Sequence, residues 1–139
     1  MNTNKILIAG LVGGVVAFIL GFLLYGLALS GFFEDNMGSA TGVMRKEADF
    51  QWVPMVLGHL TWGLLLAIIF GRWANISTLA TGAKAGAVIG LLVGCTVDLI
   101  NLGSTNLMNL TGTIGDIVVM TVMGAVVGGV VAMMLGRGK

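Results

Sequence analysis

The sequence predicts an all-α membrane protein, a four-helix transmembrane bundle built as one domain over residues 1–139. Three observations predict it. Hydrophobic residues make up 57% of the chain and charged ones 9%, against about 25% charged in a soluble domain. A water-soluble fold of this size has too little interior to hide that apolar surface. The apolar residues fall in runs at 6–33, 53–73, 83–102 and 114–135, each near the ~20 residues that cross a hydrocarbon core. Glycine is abundant (23) and proline nearly absent (1), so the glycines belong to closely packed helices rather than to loops. Alternation at period two is missing, which disfavours a β-barrel.

The first run follows Lys5, and Ala28 and Ser30 resemble a small-residue cleavage site. A signal-peptide core is usually ~7–15 residues, so this longer run reads as an anchor that is retained as the first span. Gly13, Ala17 and Gly21 set a small-residue ridge along it. The connection at 34–52 is the only long one and is expected outside the membrane. Phe32, Phe33, Phe50 and Trp52 bracket it as interface anchors. It reads either as a surface loop or as a lid over an outward-facing site.

The second span carries Gly63, Ala67 and Gly71 at the same spacing. In the third, glycines recur at every fourth residue, Gly82, Gly86, Gly90 and Gly94, and the next step lands on Asp98. At 3.6 residues per turn these positions share one helix face. The fourth repeats the device with Gly124, Gly128, Ala132 and Gly136, and backward steps from Gly124 reach Met120 and Asp116. Lipid tails are as apolar as leucine, so backbone proximity along such ridges must supply much of the association. A tight bundle with little internal volume is expected, with some ridges free to form a seam between two copies.

Charge sets the orientation. Lys5, Arg72, Lys84, Arg137 and Lys139 fall on one side of the four spans, and only Arg45 and Lys46 on the other. The positive-inside rule places both termini in the cytoplasm. The six acidic residues, Glu34, Asp35, Glu47, Asp49, Asp98 and Asp116, lie toward the outer side. The halves also read alike: Ile8-Ala9-Gly10-Leu11 against Val88-Ile89-Gly90-Leu91, and Ile69-Phe70-Gly71-Arg72 against Met134-Leu135-Gly136-Arg137. A tandem duplication of a helical hairpin, with the long loop in the first half only, accounts for both matches.

A rise of ~1.5 Å per residue gives depth. Asp98 lies roughly 21 Å beyond Lys84, and His59 roughly 20 Å from Arg72, so both fall in the outer third of a ~30 Å core. Asp116 and Tyr25 reach the outer interface. His59, Asp98 and Asn101 therefore form a candidate ion or proton cluster, with Tyr25, Asn106, Asn109 and Asp116 above it. Three readings stand open. Asp98 and His59 relay protons or bind a cation. Asp98 pairs with His59 or with asparagines and fixes helix register. Or the aspartates are hydrated and do nothing specific. The polar stretch from Asn101 to Asp116 ends the third span and caps the fourth, through Asn109, Thr111 or Thr113.

Other chemistry is poorly represented. A net charge of +1 argues against nucleic acid as a partner. Cys95 alone forms neither an internal disulfide nor a metal site, and reads as a small buried hydrophobe. Met108, Met120 and Met123 offer thioethers of the kind that bind Cu(I), but methionine is also ordinary filling. No phosphate loop or nucleophile triad is present, and a lone His59 cannot supply two haem ligands. No enzyme activity, metal or cofactor is expected.

The residues Ile8-Ala9-Gly10 through Gly21-Phe22-Leu23-Leu24-Tyr25-Gly26, the Gly-Leu-Leu-Leu-Ala run at 63–67 and Trp73-Ala74 resemble small bacterial membrane proteins classed as domains of unknown function. The resemblance implies four helices in a bacterial inner membrane and assigns no activity, cofactor or site residue. The leading expectation is a non-enzymatic structural or accessory subunit. Its partners are the lipid bilayer and either copies of itself or a larger membrane complex. The alternative is a small proton-coupled or cation transporter using Asp98 and His59.

Overall fold

The computed structural model describes residues 1–137; Lys139, one of the basic residues in the charge argument, lies outside them. Four helical segments are long and apolar enough to cross a membrane: Thr3–Ala28, Trp52–Ala74, Leu79–Ser104 and Leu110–Gly136. Helix α1 (Thr3–Gly21) runs on into a wider π-helical winding over Phe22–Ala28. A short α2 covers Ser30–Asp35. Helix α3 (Trp52–Ile68) also ends in π-helical winding, over Ile69–Ala74. Helices α4 (Leu79–Ser104) and α5 (Leu110–Gly136) follow. Polar side chains start three of them: Asn2 accepts from the Asn4 N–H, Thr78 from Thr81, and Asn109 from Gly112. Asn75 closes α3 in the left-handed conformation, φ 50°, and the Ile76 N–H returns to the Phe70 carbonyl at 3.0 Å.

The first apolar run is longer than the helix that crosses. It breaks at Leu29, whose N–H goes back to the Leu24 carbonyl, and α2 follows at the end of the bundle away from Arg72 and Arg137. The break lets two aromatics leave the span axis. Phe32 fills the space a Cβ would occupy on Gly115 of α5, and Phe33 packs on Tyr25 with ring centroids 5.1 Å apart.

The spans pack as two hairpins, α1 with α3 and α4 with α5. Both hairpins approach backbone to backbone at glycine. A Cβ on Gly63 would fall on the Gly10 carbonyl oxygen and the Gly14 nitrogen. Across the second hairpin, a Cβ on Gly86 would fall on the Gly124 oxygen, one on Gly82 on the Gly128 oxygen, and one on Gly90 on the Met120 oxygen. Gly94 is looser, its Cβ position 3.2 Å from the Met120 Cβ. Gly136 faces not a helix but Ser77 in the α3–α4 connection.

Helix α5 is the hub, lying against α4 on one side and against α1 and α3 on the other. Helix α4 is peripheral. Its buried residues are Gly82, Gly86, Gly90, Gly94 and Asp98, a single ridge, while Val88, Leu92, Leu99 and Ile100 point outward. The ridges expected as a seam between copies are therefore occupied within one chain: Ala17, Gly63, Ala67 and Gly71 are buried too. In lipid this association rests on dispersion between close surfaces, since no water is released from between the helices.

Leu66, Phe70, Val127, Val131 and Leu135 are fully buried and fill the half of the bundle nearest Arg72 and Arg137. That end is tied by the Lys5 ammonium, which donates to the Arg137 carbonyl, and by Arg72 Nη2, which donates to Thr3 Oγ1 at 2.6 Å. The opposite end carries the long loop. Its backbone is stitched to the α4–α5 connection: Gly38 N–H donates to Leu107 at 2.9 Å, Ala40 N–H to Asn106 at 3.0 Å, and Asn109 N–H to Asn36 at 3.0 Å. Gly38 is required there, because a Cβ would fall on the Asn106 oxygen.

Candidate functional site

The stitched end departs from the expected solid packing. A cavity of about 540 Å³ opens beneath the loop, walled by Phe33, Met37, Met44 and Met108, with Tyr25 and Asp116 among its lining. Two smaller cavities are both lined by His59 and Met55: one of about 350 Å³ between α3 and α5, and one of about 260 Å³ between the first span and α3. Tyr25 borders all three. It sits in the π-helical stretch of α1, a winding that recurs near functional positions because it re-aims side chains.

The polar cluster is Tyr25, Asp116 and Asp98. The Tyr25 hydroxyl donates to Asp116 Oδ1. Asp98 is close enough to Asp116 for the two carboxyls to interact. Asp98 is 5% exposed, and its Oδ2 is buried with no hydrogen-bond donor supplied by the described residues. Two ionised carboxylates offer acceptors only, so a bond between them needs one proton held between the pair. Without that proton, the orphaned Oδ2 calls for a donor or a cation.

The ladder below explains this arrangement. Helices α4 and α5 are antiparallel, and Gly82, Gly86 and Gly90 meet Gly128, Gly124 and Met120 in turn. One further step outward past Gly94 brings Asp98 beside Asp116. The same ridge that brings the backbones together thus delivers both carboxyls to one point.

His59 is not part of this cluster. Helices α3 and α4 share no packed face, since α5 stands between the hairpins. His59 instead donates Nδ1–H to the Met55 carbonyl at 2.7 Å and packs edge-on against Phe18, with centroids 5.4 Å apart. With Nδ1 protonated, the neutral ring presents Nε2 as an acceptor. Gly21 makes room for it: a Cβ there would stand 2.8 Å from Nε2. Of the pairings the sequence left open, Asp98 thus neighbours Asp116 and not His59, because α5 stands between α3 and α4.

The remaining candidates serve the chain ends of the helices. The Asn101 carbonyl accepts both the N–H and the Oγ1–H of Thr105, each at 2.8 Å, at the close of α4. The Asn106 carbonyl holds the loop through Ala40. Asn109 caps α5 and its side-chain amide donates to Asn36 Oδ1 at 3.1 Å. Among the described residues no group of three or more His, Cys, Asp or Glu side chains is arranged to hold a metal. Cys95 is half-buried and free.

Fold and site together define a multi-pass α-helical membrane protein with an acidic cluster and an apolar cavity at one end. Compared with protein-family models, with curated proteins and with solved structures, the chain matches none.

Proposed function

We propose that the chain is a non-enzymatic integral membrane protein of a bacterial inner membrane, a structural or accessory subunit with both termini in the cytoplasm. The observation that carries this reading is the filled inner half of the bundle. Leu66, Phe70, Val127, Val131 and Leu135 are fully buried there, and the hairpins meet at glycine backbones. A conduit would have to part these surfaces, whereas a rigid subunit gains from them. The gathering of Lys5, Arg72 and Arg137 at one end supports the orientation through the positive-inside rule. The bacterial setting rests on the resemblance of the first span and the 63–67 run. Association with further copies or a larger complex would use the outward Val88, Leu92, Leu99 and Ile100 face of α4, since the glycine ridges are already filled.

A second reading, a small proton-coupled or cation transporter, is favoured by the pairing of buried Asp98 with half-buried Asp116. Ionisable groups at that depth are costly and are retained for a reason. Reconstitution into liposomes loaded with a pH-sensitive dye, together with native pull-down, separates the two. Recovery of a stable complex without proton or cation flux supports the subunit reading. A flux lost in Asp98→Asn, with the fold retained, overturns it in favour of transport.

A further inference from the structure

The cavity beneath the outer loop has a size, a wall and a floor that together describe a ligand. Its volume of about 540 Å³ lies within the roughly 300–1,000 Å³ of small-molecule sites. The wall is apolar and adaptable, with Met37 and Met44 from the long loop and Met108 from the α4–α5 connection. The floor is anionic. Asp116 lines it, Glu34 stands in the lining too, and among the described residues no lysine, arginine or histidine does.

Next to Asp116, but outside the cavity lining, lies Asp98, whose buried Oδ2 has no hydrogen-bond partner among the described residues. Tyr25 uses its one proton on Asp116, and its ring, tilted 36° against Phe33, adds a π surface beside the acid. Such faces attract a cation electrostatically. An apolar wall alone fits a lipid tail. A tail leaves the carboxyl pair unanswered, whereas an ammonium group brings both positive charge and N–H donors to it.

We propose that this cavity binds an amphiphilic monocation, an apolar body of one or two rings or a short chain carrying a protonated amine. The amine sits at Asp116 and the body lies among Phe33, Met37, Met44 and Met108. The site rests on the cavity and the acid pair, and stands whether the protein is a subunit or a transporter.

The test uses two probes that share an apolar body and differ only in the head group, cationic 3,3-diphenylpropylamine and neutral 3,3-diphenylpropanol, titrated calorimetrically into the full chain in neutral detergent. The amine is expected to bind saturably, one per chain, and at least tenfold more tightly than the alcohol. Asp116→Asn is expected to bring the amine down to the level of the alcohol. Val43→Trp, which fills the cavity from the loop and leaves the acids untouched, is expected to abolish binding of both. Val43→Trp keeps the test decisive if Asp116→Asn does not fold. No saturable binding, equal binding of amine and alcohol, or full binding by either variant when folded overturns the proposal. Equal binding of both probes, blocked by Val43→Trp, would assign the cavity to neutral apolar molecules such as lipid tails.

Discussion

Asp98 and Asp116 stand side by side on antiparallel helices because the small residues beneath them are in register. Gly86 meets Gly124, Gly90 meets Met120, and the next steps outward bring the two carboxyls together. Helix association and the placement of acid are thus one device.

The register makes Gly86 sensitive to a single methyl group. Gly86→Ala would place its Cβ on the Gly124 carbonyl oxygen and is expected to cost about 1–3 kcal/mol, the range for overpacking. Gly58 and Gly103 have nothing within 4 Å of a Cβ. Alanine there is expected to be neutral, or to stabilise by up to about 1 kcal/mol through helix propensity. Unfolding titrations in mixed micelles check the contrast, and an equal response at Gly86 and Gly58 would contradict the close approach.

The carboxyl pair responds in an unusual order. An asparagine at 98 retains the shape and supplies an N–H donor to Asp116, so Asp98→Asn is expected to hold or raise stability by about 1 kcal/mol. Asp98→Ala supplies no donor and opens space beside Asp116. It is expected to be the less stable of the two variants. The same titrations rank them, and the reverse ranking would mean that the two carboxyls do not share a bond.

Tyr25→Phe removes the hydroxyl that donates to Asp116. Loss of a hydrogen bond to a charged group is expected to cost about 1.5–3 kcal/mol. In a double-mutant cycle with Asp116→Asn, a coupling of about 0.5–3 kcal/mol is expected. A cycle that closes at zero would remove Tyr25 from the cluster.

His59 serves as the control. It packs on Phe18 and bonds to Met55, and shares no hydrogen-bond partner with Asp98. His59→Phe and Asp98→Asn are expected to be additive within about 0.5 kcal/mol. Any larger coupling would restore the His59–Asp98 pair.

Asn109 both caps α5 and holds Asn36. Asn109→Ala is expected to cost about 1 kcal/mol. It is also expected to speed hydrogen exchange at Gly38 and Ala40, whose amides bond to the α4–α5 connection. Unchanged exchange at those two amides would show that the loop is held by something else.

The spans and the glycine ridges were legible in the sequence because apolar length and a four-residue step are local properties. The aspartates ending the ridges of α4 and α5 were visible for the same reason. Their meaning was not, because depth along a helix carries no information on which helices touch. Asp98 and His59 lie at similar depth, yet α5 separates the hairpins that carry them. Pairing the two ridges in antiparallel register, a step the sequence permits, would have placed Asp98 against Asp116. The break at Leu29 was hidden by an unbroken apolar run. It answers to Gly115 and Tyr25, which accommodate Phe32 and Phe33 from elsewhere in the chain. The cavity was invisible because its walls come from the loop, α1, α2 and the α4–α5 connection together.

The stitching of Gly38 and Ala40 to Leu107 and Asn106 also dictates an order of birth. During synthesis the loop emerges long before its acceptors exist, so the first hairpin must wait in the bilayer with its strap undone. The strap and the roof of the cavity come into being together, only when the α4–α5 connection has been made. A nascent chain arrested before that connection is made would therefore offer its loop to proteases, and the finished one would not.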